Sequence, residues 1–332
     1  MTRIAVLGAG GWGTALAVHL ARVGHPVQLW GRDPVLVADM QARRANAVYL
    51  PGVAFPDGIS PTSDLSGSLS GAEVVVAAVP SHGMREVLRA AAPHIAAGAA
   101  VVSATKGIER DSLLRMSEIA AQEVGSSRDV AVLSGPSFAL EVARELPTAV
   151  VVASTSAGAV ERVQREFRAS YFRVYGSDDV AGVEIGGALK NVIAIAAGAA
   201  EGLGLGHNAQ AGLITRGLAE ISRLACAAGA QRETLSGLAG LGDLVLTCTG
   251  ALSRNRHVGL ELARGRTLGD VLAGMKMVAE GVRTADAALA LGRRHGVELP
   301  IAEQVAEVLG GRKDPRTALL DLMLRPQRAE AG

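Results

Sequence analysis

One lysine stands alone in a long apolar stretch of this 332-residue chain. Between Glu184 and Glu201, Lys190 is the only charged residue, within Gly186-Gly187-Ala188-Leu189-Lys190-Asn191-Val192-Ile193. A cation so placed faces either solvent or a cavity between domains. Partial burial would lower its pKa and make neutral amine available as a general base. A lysine snorkelling from an apolar helix is the bland alternative. Residue usage weighs on the choice, because the chain has 29 Arg but only four Lys: Lys106, Lys190, Lys276 and Lys313. A chain that fills its cation positions with arginine keeps a lysine where losing a proton, or acting as a compact point charge, matters. Lys276 and Lys313 sit among ordinary polar neighbours, whereas Lys106 and Lys190 do not. The seven histidines form no close pair and no metal-like spacing, so no metal site is expected. His82 and His207, near loops, are held in reserve as proton carriers.

A second constellation is built from glycine. Gly8-Ala9-Gly10-Gly11-Trp12-Gly13 follows the apolar run Ile4-Ala5-Val6-Leu7 and leads into Thr14-Ala15-Leu16-Ala17-Val18. Strand, turn and helix in that order give a G-x-G-x-x-G match its physical meaning. Gly8 permits the tight turn, Gly10 lets backbone approach a pyrophosphate, and Gly13 lets helix and strand pack closely. The helix start then offers unpaired N–H groups to phosphates. A signal peptide competes for the same residues, with Arg3 as the early cation and Ala15-Leu16-Ala17 as a cleavage-like site. Four glycines inside the supposed apolar core argue against it, and Cys226 and Cys248 make no disulfide framework. No run approaches the length of a membrane span, so neither membrane insertion nor export is expected and the setting is taken as cytoplasmic.

The second strand ends Leu29-Trp30-Gly31-Arg32-Asp33. An acidic residue there suits the ribose 2′-OH of NAD, and an arginine suits the 2′-phosphate of NADP. Asp33 precedes Pro34 and reads as a helix N-cap with proline at the first helical position. That leaves Arg32 at the ribose and favours NADP(H), with NAD(H) kept as the alternative. Lys106 follows the strand Ala99–Ser103, and Gly135-Pro136-Ser137 follows Val130–Leu133, so both loops reach the edge that carries the glycine turn. Gly135 and Ser137 could present an N–H and a hydroxyl there, although such a tripeptide is more often an ordinary turn. Ser253-Arg254-Asn255-Arg256, preceded by the glycine-rich Gly237–Gly242 and by Asp243, reads equally as a phosphate site or as a solvated basic turn.

These residues must be positioned by two kinds of structure. Apolar runs at Arg3–Leu7, Pro26–Trp30, Glu73–Val79, Ala99–Ser103, Val130–Leu133, Ala149–Ala153 and Phe172–Tyr175 alternate with helical patterns at His82–Ala92, Ser112–Glu123 and Ala157–Ala169. This alternation predicts a parallel sheet covered by helices. The proline-rich section Ala47–Ser63 reads as irregular loop. From about Asp178 helical spacing takes over, at Val183–Ala200, Ala209–Ala228, Thr267–Met275 and Thr284–His295. The expected division is 1–178 and 179–332. A formal charge of +1, with no like-charge block, gives no nucleic-acid surface.

Taken together the motifs resemble the bacterial NAD(P)-dependent glycerol-3-phosphate dehydrogenases along nearly the whole chain. The resemblance lies in Gly8–Leu16, Asn46–Pro51, Ala104–Glu109, Gly135–Ala139, Gly186–Ala197, Gly237–Asp243, Ser253–Gly259 and Val278–Val282. It implies an α/β Rossmann-type N-terminal domain with a mostly parallel sheet and an all-α C-terminal domain. It also implies reversible reduction of dihydroxyacetone phosphate to sn-glycerol 3-phosphate for phospholipid synthesis, and a homodimer is kept open. By matching motifs, Lys190 would be the proton acceptor at the C2 hydroxyl, and Lys106 would contact both cofactor and substrate. Gly135, Ser137, Asp243, Ser253, Arg254 and Asn255 would line the substrate. Gly8, Gly10, Gly11, Trp12, Gly13, Arg32, Tyr49, Ala139, Arg254, Val278 and Glu280 would meet the dinucleotide. The family often carries Ser where this chain has Gly11, which removes one hydroxyl contact. Two rivals fit the residues less well: an NADP-dependent dehydrogenase of a small hydroxy acid, and a non-catalytic dinucleotide sensor that would need neither lysine.

Overall fold

A computed structural model describes residues 1–125, 128–327 and 329–330. Its first half is one eight-stranded sheet in the order β3-β2-β1-β4-β5-β6-β7-β8. The strands are β1 (Ile4–Leu7), β2 (Val27–Trp30), β3 (Ile59–Thr62), β4 (Val74–Ala77), β5 (Ala100–Ser103), β6 (Val130–Ser134), β7 (Thr148–Ala153) and β8 (Phe172–Ser177). The helices among them are α1 (Gly11–Arg22), α2 (Pro34–Arg43), α3 (Leu65–Leu69), α4 (Met84–Ala91), α5 (Met116–Val124), α6 (Ala139–Ala143) and α7 (Ala157–Phe167). Strands β1, β4 and β5 are buried along their whole length, which is why they read as unbroken apolar runs. β1 to β6 run parallel, so the loops after β1, β2, β4, β5 and β6 open on one edge. Strand order reverses between β1 and β4, the crevice where open α/β sheets take their ligands.

Two expectations for this half need correction. The section Ala47–Ser63 is not all loop: it ends in β3, whose Pro61 pairs in register with Leu29. β3 is an edge strand, the place in a sheet where a residue without an N–H is tolerated. The helix expected from Ser112 starts at Met116, because Ser112 Oγ donates to Glu109 and accepts from Leu114 N in a preceding turn. Glu118 then accepts from Arg115 N and fixes the later start. The sheet is mostly parallel as expected, yet β7 lies antiparallel to β6 and takes β8 with it.

The second half is helical: α8 (Val180–Gly202), α9 (Gly206–Ala227), α10 (Arg232–Ser236), α11 (Asp243–Thr249), α12 (Arg254–Ala263), α13 (Leu268–Ala273), α14 (Glu280–His295), α15 (Pro300–Leu309) and α16 (Pro315–Met323). A π-helical turn, Leu238–Gly242, feeds α11. α8 is the axis of this region, with Ile185, Leu189, Val192 and Ile193 in one core with residues of α9, α11, α14 and α15. It crosses α12 at backbone contact: a Cβ on Gly198 would lie 1.8 Å from Arg256 O, and one on Gly259 1.8 Å from Ile195 O. α8 is also long and apolar enough to cross a membrane, against the expectation that no run approaches that length. Within its apolar window 83% is buried inside the protein, so it is the core helix of the region.

Candidate active site

The glycine turn has the shape its spacing predicts. Gly8 sits at φ +116°, and a Cβ there would lie 2.6 Å from Ala78 O. A Cβ on Gly13 would lie 1.9 Å from Gly8 O, so strand and helix touch where that glycine is. Gly10 is different, since nothing lies within 4 Å of its Cβ position. It is the N-cap of α1, with no side-chain cap and no acidic residue in the first turn. The helix start therefore presents N–H groups that no side chain claims, beside an open face. Asn46 holds the neighbouring loop against this turn, donating to Ala9 O and Thr14 Oγ1, both at 2.9 Å, and accepting from Tyr49 N at 3.0 Å. Gly11 faces Tyr49: a Cβ would lie 2.8 Å from the Tyr49 carbonyl, so the serine frequent in the family would push this loop outward. Trp12 is half-buried and its indole N–H has no partner.

At the end of β2, Asp33 caps α2 by accepting from Val35 N at 2.9 Å. Its carboxylate is thereby engaged, and Arg32 stands exposed beside it. Ala139 opens α6, and Val278 and Glu280 lie at the start of α14.

Lys190 lies on α8 with 6% of its surface exposed. Its ammonium pairs with Asp243 Oδ1 and donates to Thr247 Oγ1 at 2.9 Å. Asp243 is fully buried and takes Lys106 Nζ on its other oxygen at 2.6 Å, so one carboxylate serves two lysines. Lys106 also donates to Gly135 O at 3.0 Å, as does Ser137 Oγ at 2.9 Å. Thr247 donates to Asp243 O at 2.6 Å, leaving a lone pair for Lys190. These groups come from four segments: α8, α11, the loop after β5 and the loop after β6. Gly187 lets α8 pass them, because a Cβ there would lie 2.7 Å from Ser134 Oγ. Burial lowers the Lys190 ammonium from the usual lysine range to about 7. The positive charge of Lys106 adds to that shift, and the Asp243 carboxylate opposes it. A pKa in that range is the one general acid–base chemistry at neutral pH calls for.

The Ser253–Arg256 segment is more structural than its composition suggests. Ser253 is the N-cap of α12, accepting from Arg256 N at 3.2 Å. Asn255 is buried and bridges helices, donating to Asn191 Oδ1 at 2.8 Å and accepting from Gly281 N at 2.9 Å. It thereby fixes the residue next to Lys190. Arg254 is exposed and spends one N–H on Val278 O at 2.8 Å, which leaves most of its guanidinium donors for a ligand. Glu280 reaches the sheet, accepting from Ser81 N at 3.1 Å and Ser81 Oγ at 2.6 Å.

The sequence reading did not include Thr247 or the Ser81–Glu280 contact. Thr247 stands four residues after Asp243 on α11, so helical spacing alone would have put it on the aspartate's face. His82 and His207 have no hydrogen bond to the lysine cluster among the described residues. No group of three or more His, Cys, Asp or Glu residues that could hold a metal occurs among the described residues.

A sheet with an uncapped glycine turn at its switch point, and a helical region that brings a buried, near-neutral lysine to the same edge, defines a dinucleotide-dependent oxidoreductase. Comparison with known proteins agrees. The chain matches the NAD-dependent glycerol-3-phosphate dehydrogenase N-terminus over residues 3–160 and the C-terminus of the same family over 179–320. A glycerol-3-phosphate dehydrogenase (NAD(P)+) of Geobacter metallireducens is 53% identical over 332 residues, 99% of each chain. One from Thioalkalivibrio sulfidiphilus is 56% identical over 270 residues, 81% of each. The crystal structure of glycerol-3-phosphate dehydrogenase from Coxiella burnetii superposes with a TM-score of 0.94 at 44% identity, covering 98% of this chain and 99% of that one. The chain belongs to the NAD-dependent glycerol-3-phosphate dehydrogenase family.

Proposed function

We propose that Lys190 moves the proton as this enzyme interconverts dihydroxyacetone phosphate and sn-glycerol 3-phosphate with a nicotinamide dinucleotide. The observation that carries the assignment is the burial of Lys190 against Asp243 and Thr247, next to Lys106, at the edge shared with the glycine turn. The dinucleotide supplies hydride chemistry, and the protein supplies geometry and charge. Neutral Lys190 accepts the C2 hydroxyl proton in the oxidative direction. In the reductive direction its ammonium polarises the C2 carbonyl oxygen and returns the proton. Asp243 keeps the ammonium form available in a buried site, and Thr247 aims it. Lys106 stands between dinucleotide and substrate. The free donors of Arg254, with backbone and hydroxyl groups of Gly135 and Ser137, would take the substrate phosphate and so orient C2. Asn255 and Ser253 would hold that wall in place and still line the substrate, since Asn255 keeps one amide N–H and Ser253 its hydroxyl proton.

The uncapped start of α1 and the open face at Gly10 fit a dinucleotide pyrophosphate, with Gly8, Gly11, Trp12 and Gly13 shaping the turn. Tyr49, Ala139, Val278 and Glu280 complete the walls. NADP(H) is favoured over NAD(H), because Asp33 is engaged as a cap and Arg32 is the free charge at the ribose position. Residues 1–178 would hold the dinucleotide and 179–332 the substrate and the base. The same reading carries phospholipid synthesis as the use of the product, a cytoplasmic setting, and a homodimer as the assembly to test by sedimentation.

Lys190→Arg is the deciding variant. Arginine keeps the charge but does not release a proton. Turnover should fall by about 10³-fold while NADPH binding and thermal unfolding stay unchanged. Substantial turnover in a folded Lys190→Arg protein would remove Lys190 from the role.

A further inference from the structure

Lys106 and Lys190 come from opposite halves of the chain, and the surface between them does not fix how α8 lies against the Lys106 loop. α8 passes that loop at Gly187, whose Cβ position lies 3.7 Å from Lys106 Cγ and 2.7 Å from Ser134 Oγ. A glycine permits close passage but offers no side chain to interlock. Both lysine stems are long and flexible, so Asp243, which takes the two ammoniums, fixes their tips and leaves the helix free to slide. The register of α8 must be set elsewhere. Glu184 stands three residues before Gly187, on the same side of the helix, and lines one crevice with Lys106, Ser134 and Gly187. It is 6% exposed, and its carboxylate takes three donors from the sheet half. Ser117 N donates at 2.8 Å, Ser117 Oγ at 2.5 Å and Arg115 Nη1 at 3.0 Å, all from the start of α5.

The segment that supplies those donors is itself wedged between the halves. Ile108 pairs with Arg115 in an antiparallel bridge, and Glu109 N donates to Leu114 O at 2.9 Å, which makes a short hairpin directly after Lys106. Ile108 is buried in the core of the helical half, and Leu113 packs against that core with its backbone at φ +61°. A residue with a side chain keeps a left-handed backbone only where its surroundings over-determine it. The hairpin therefore carries Lys106 at its entry and delivers Arg115, at its exit, to Glu184.

We infer that Glu184 is a positioning residue for the reaction: gripped by Arg115 and Ser117, it sets the register of α8 against the hairpin and so places Lys190 at the reacting oxygen. The inference rests on the reading of Lys190 as the proton carrier and extends it. Glu184 precedes Lys190 by six residues, a rise of about 9 Å, so it acts through the helix and not on the substrate. Misplacing a reacting group by about 1 Å costs about 10²-fold in rate.

Glu184→Asp tests this, because it keeps the charge and shortens the reach by one methylene. Steady-state kinetics across pH, with NADPH and with NADPH deuterated at the transferred C4 position, are set beside calorimetric NADPH binding and thermal unfolding. Per folded molecule, kcat should fall about tenfold while KM for dihydroxyacetone phosphate and Kd for NADPH stay within about twofold. The isotope effect should grow as the chemical step slows, and the pH limbs should not move. Ser117→Ala, at a half-buried position, should give the same pattern with about a threefold loss, and it decides alone if the Asp variant does not fold. Unchanged kcat overturns the role of Glu184. A rate loss matched by weaker NADPH binding also overturns it, since general disruption would do that. A shifted pH limb overturns it too, because the Glu184 charge would then act on Lys190 directly. If Lys190→Arg loses turnover and the Glu184 and Ser117 variants do not, only the role of Glu184 fails. If Lys190→Arg keeps turnover, the proton assignment fails and this role with it.

Discussion

At Gly8–Gly13 the chain shapes a tight turn by leaving side chains out, whereas around Lys190 it builds a cluster by burying charge. The turn uses consecutive residues and backbone N–H groups, and its tolerances are steric: 1.9 Å separates a Gly13 Cβ position from Gly8 O. The lysine cluster draws on four segments, and its tolerances are electrostatic, with one buried carboxylate between two ammoniums. The first fails by not folding; the second fails by folding with the wrong charge.

Asp243→Asn should break the second region most severely. Lys190 and Lys106 lose their shared counter-ion, and the Lys190 pKa falls further below 7 because its main opposing influence is gone. The reductive direction needs the ammonium, so its rate at neutral pH should drop by about 10³-fold. Oxidation needs the neutral amine and should lose less. Equal losses in both directions would count against the assignment of the proton to Lys190.

Gly13→Ala attacks the first region. Its methyl group meets backbone at 1.9 Å, so a strand or helix must move, at a cost of about 1–3 kcal/mol. Chemical denaturation measures that loss. Gly10→Ala is the control, since its Cβ enters open space: it should unfold like wild type yet bind NADPH more weakly. Equal stability losses for the two would show that the turn is not built as described.

The pH profile gives a smaller and more specific effect. With Lys190 near 7, the oxidative rate should rise with pH through about 7 and the reductive rate should fall. Thr247→Val removes one hydrogen bond to the ammonium, disfavours the charged form, and should move both limbs to lower pH with about a tenfold change in rate. Unchanged limbs would make Thr247 a packing residue.

The smallest effect is expected from Glu220, a buried carboxylate far from both regions in role. It starts α15 by accepting from Ile301 N at 2.7 Å, and burial raises its pKa to about 7. A raised carboxyl pKa means the folded state holds the proton more tightly than the unfolded one. Its contribution is therefore full below the unfolded carboxyl value and is lost as pH rises through about 7. Glu220→Gln should flatten the stability–pH curve between about 4.5 and 7 and leave turnover unchanged. A curve as steep as that of wild type would reassign the linkage.

Legibility in the sequence followed the same division. The glycine turn, the N-cap at Asp33 and the buried strands were readable because their causes are local: spacing, capping and unbroken apolar runs. Lys190 was readable as an isolated charge, but its partners were not, since Asp243 lies 53 residues away and only the folded chain brings them together. Thr247 had a helical-spacing signal that was not taken up. Pro61 hid β3, because a proline tolerated at a sheet edge looks like a strand breaker when the edge is unknown. Asn255 shows a second role that the sequence did not: in the fold its amide clamps Asn191 to Gly281, 64 and 26 residues away in the chain.

Asp243's double duty has a consequence for every catalytic cycle. Two ammoniums and one carboxylate leave the pocket with one net positive charge, and release of the Lys190 proton brings it to neutrality. By charge balance, oxidation would bring the Lys190 proton in as hydride transfer cancels the positive charge of the nicotinamide ring, and reduction would do the reverse. The charge of the site as a whole would stay constant while its centre moves between ring and lysine. A phosphate ester should therefore be held with similar strength on both sides of the reaction, which suits an enzyme that runs in either direction.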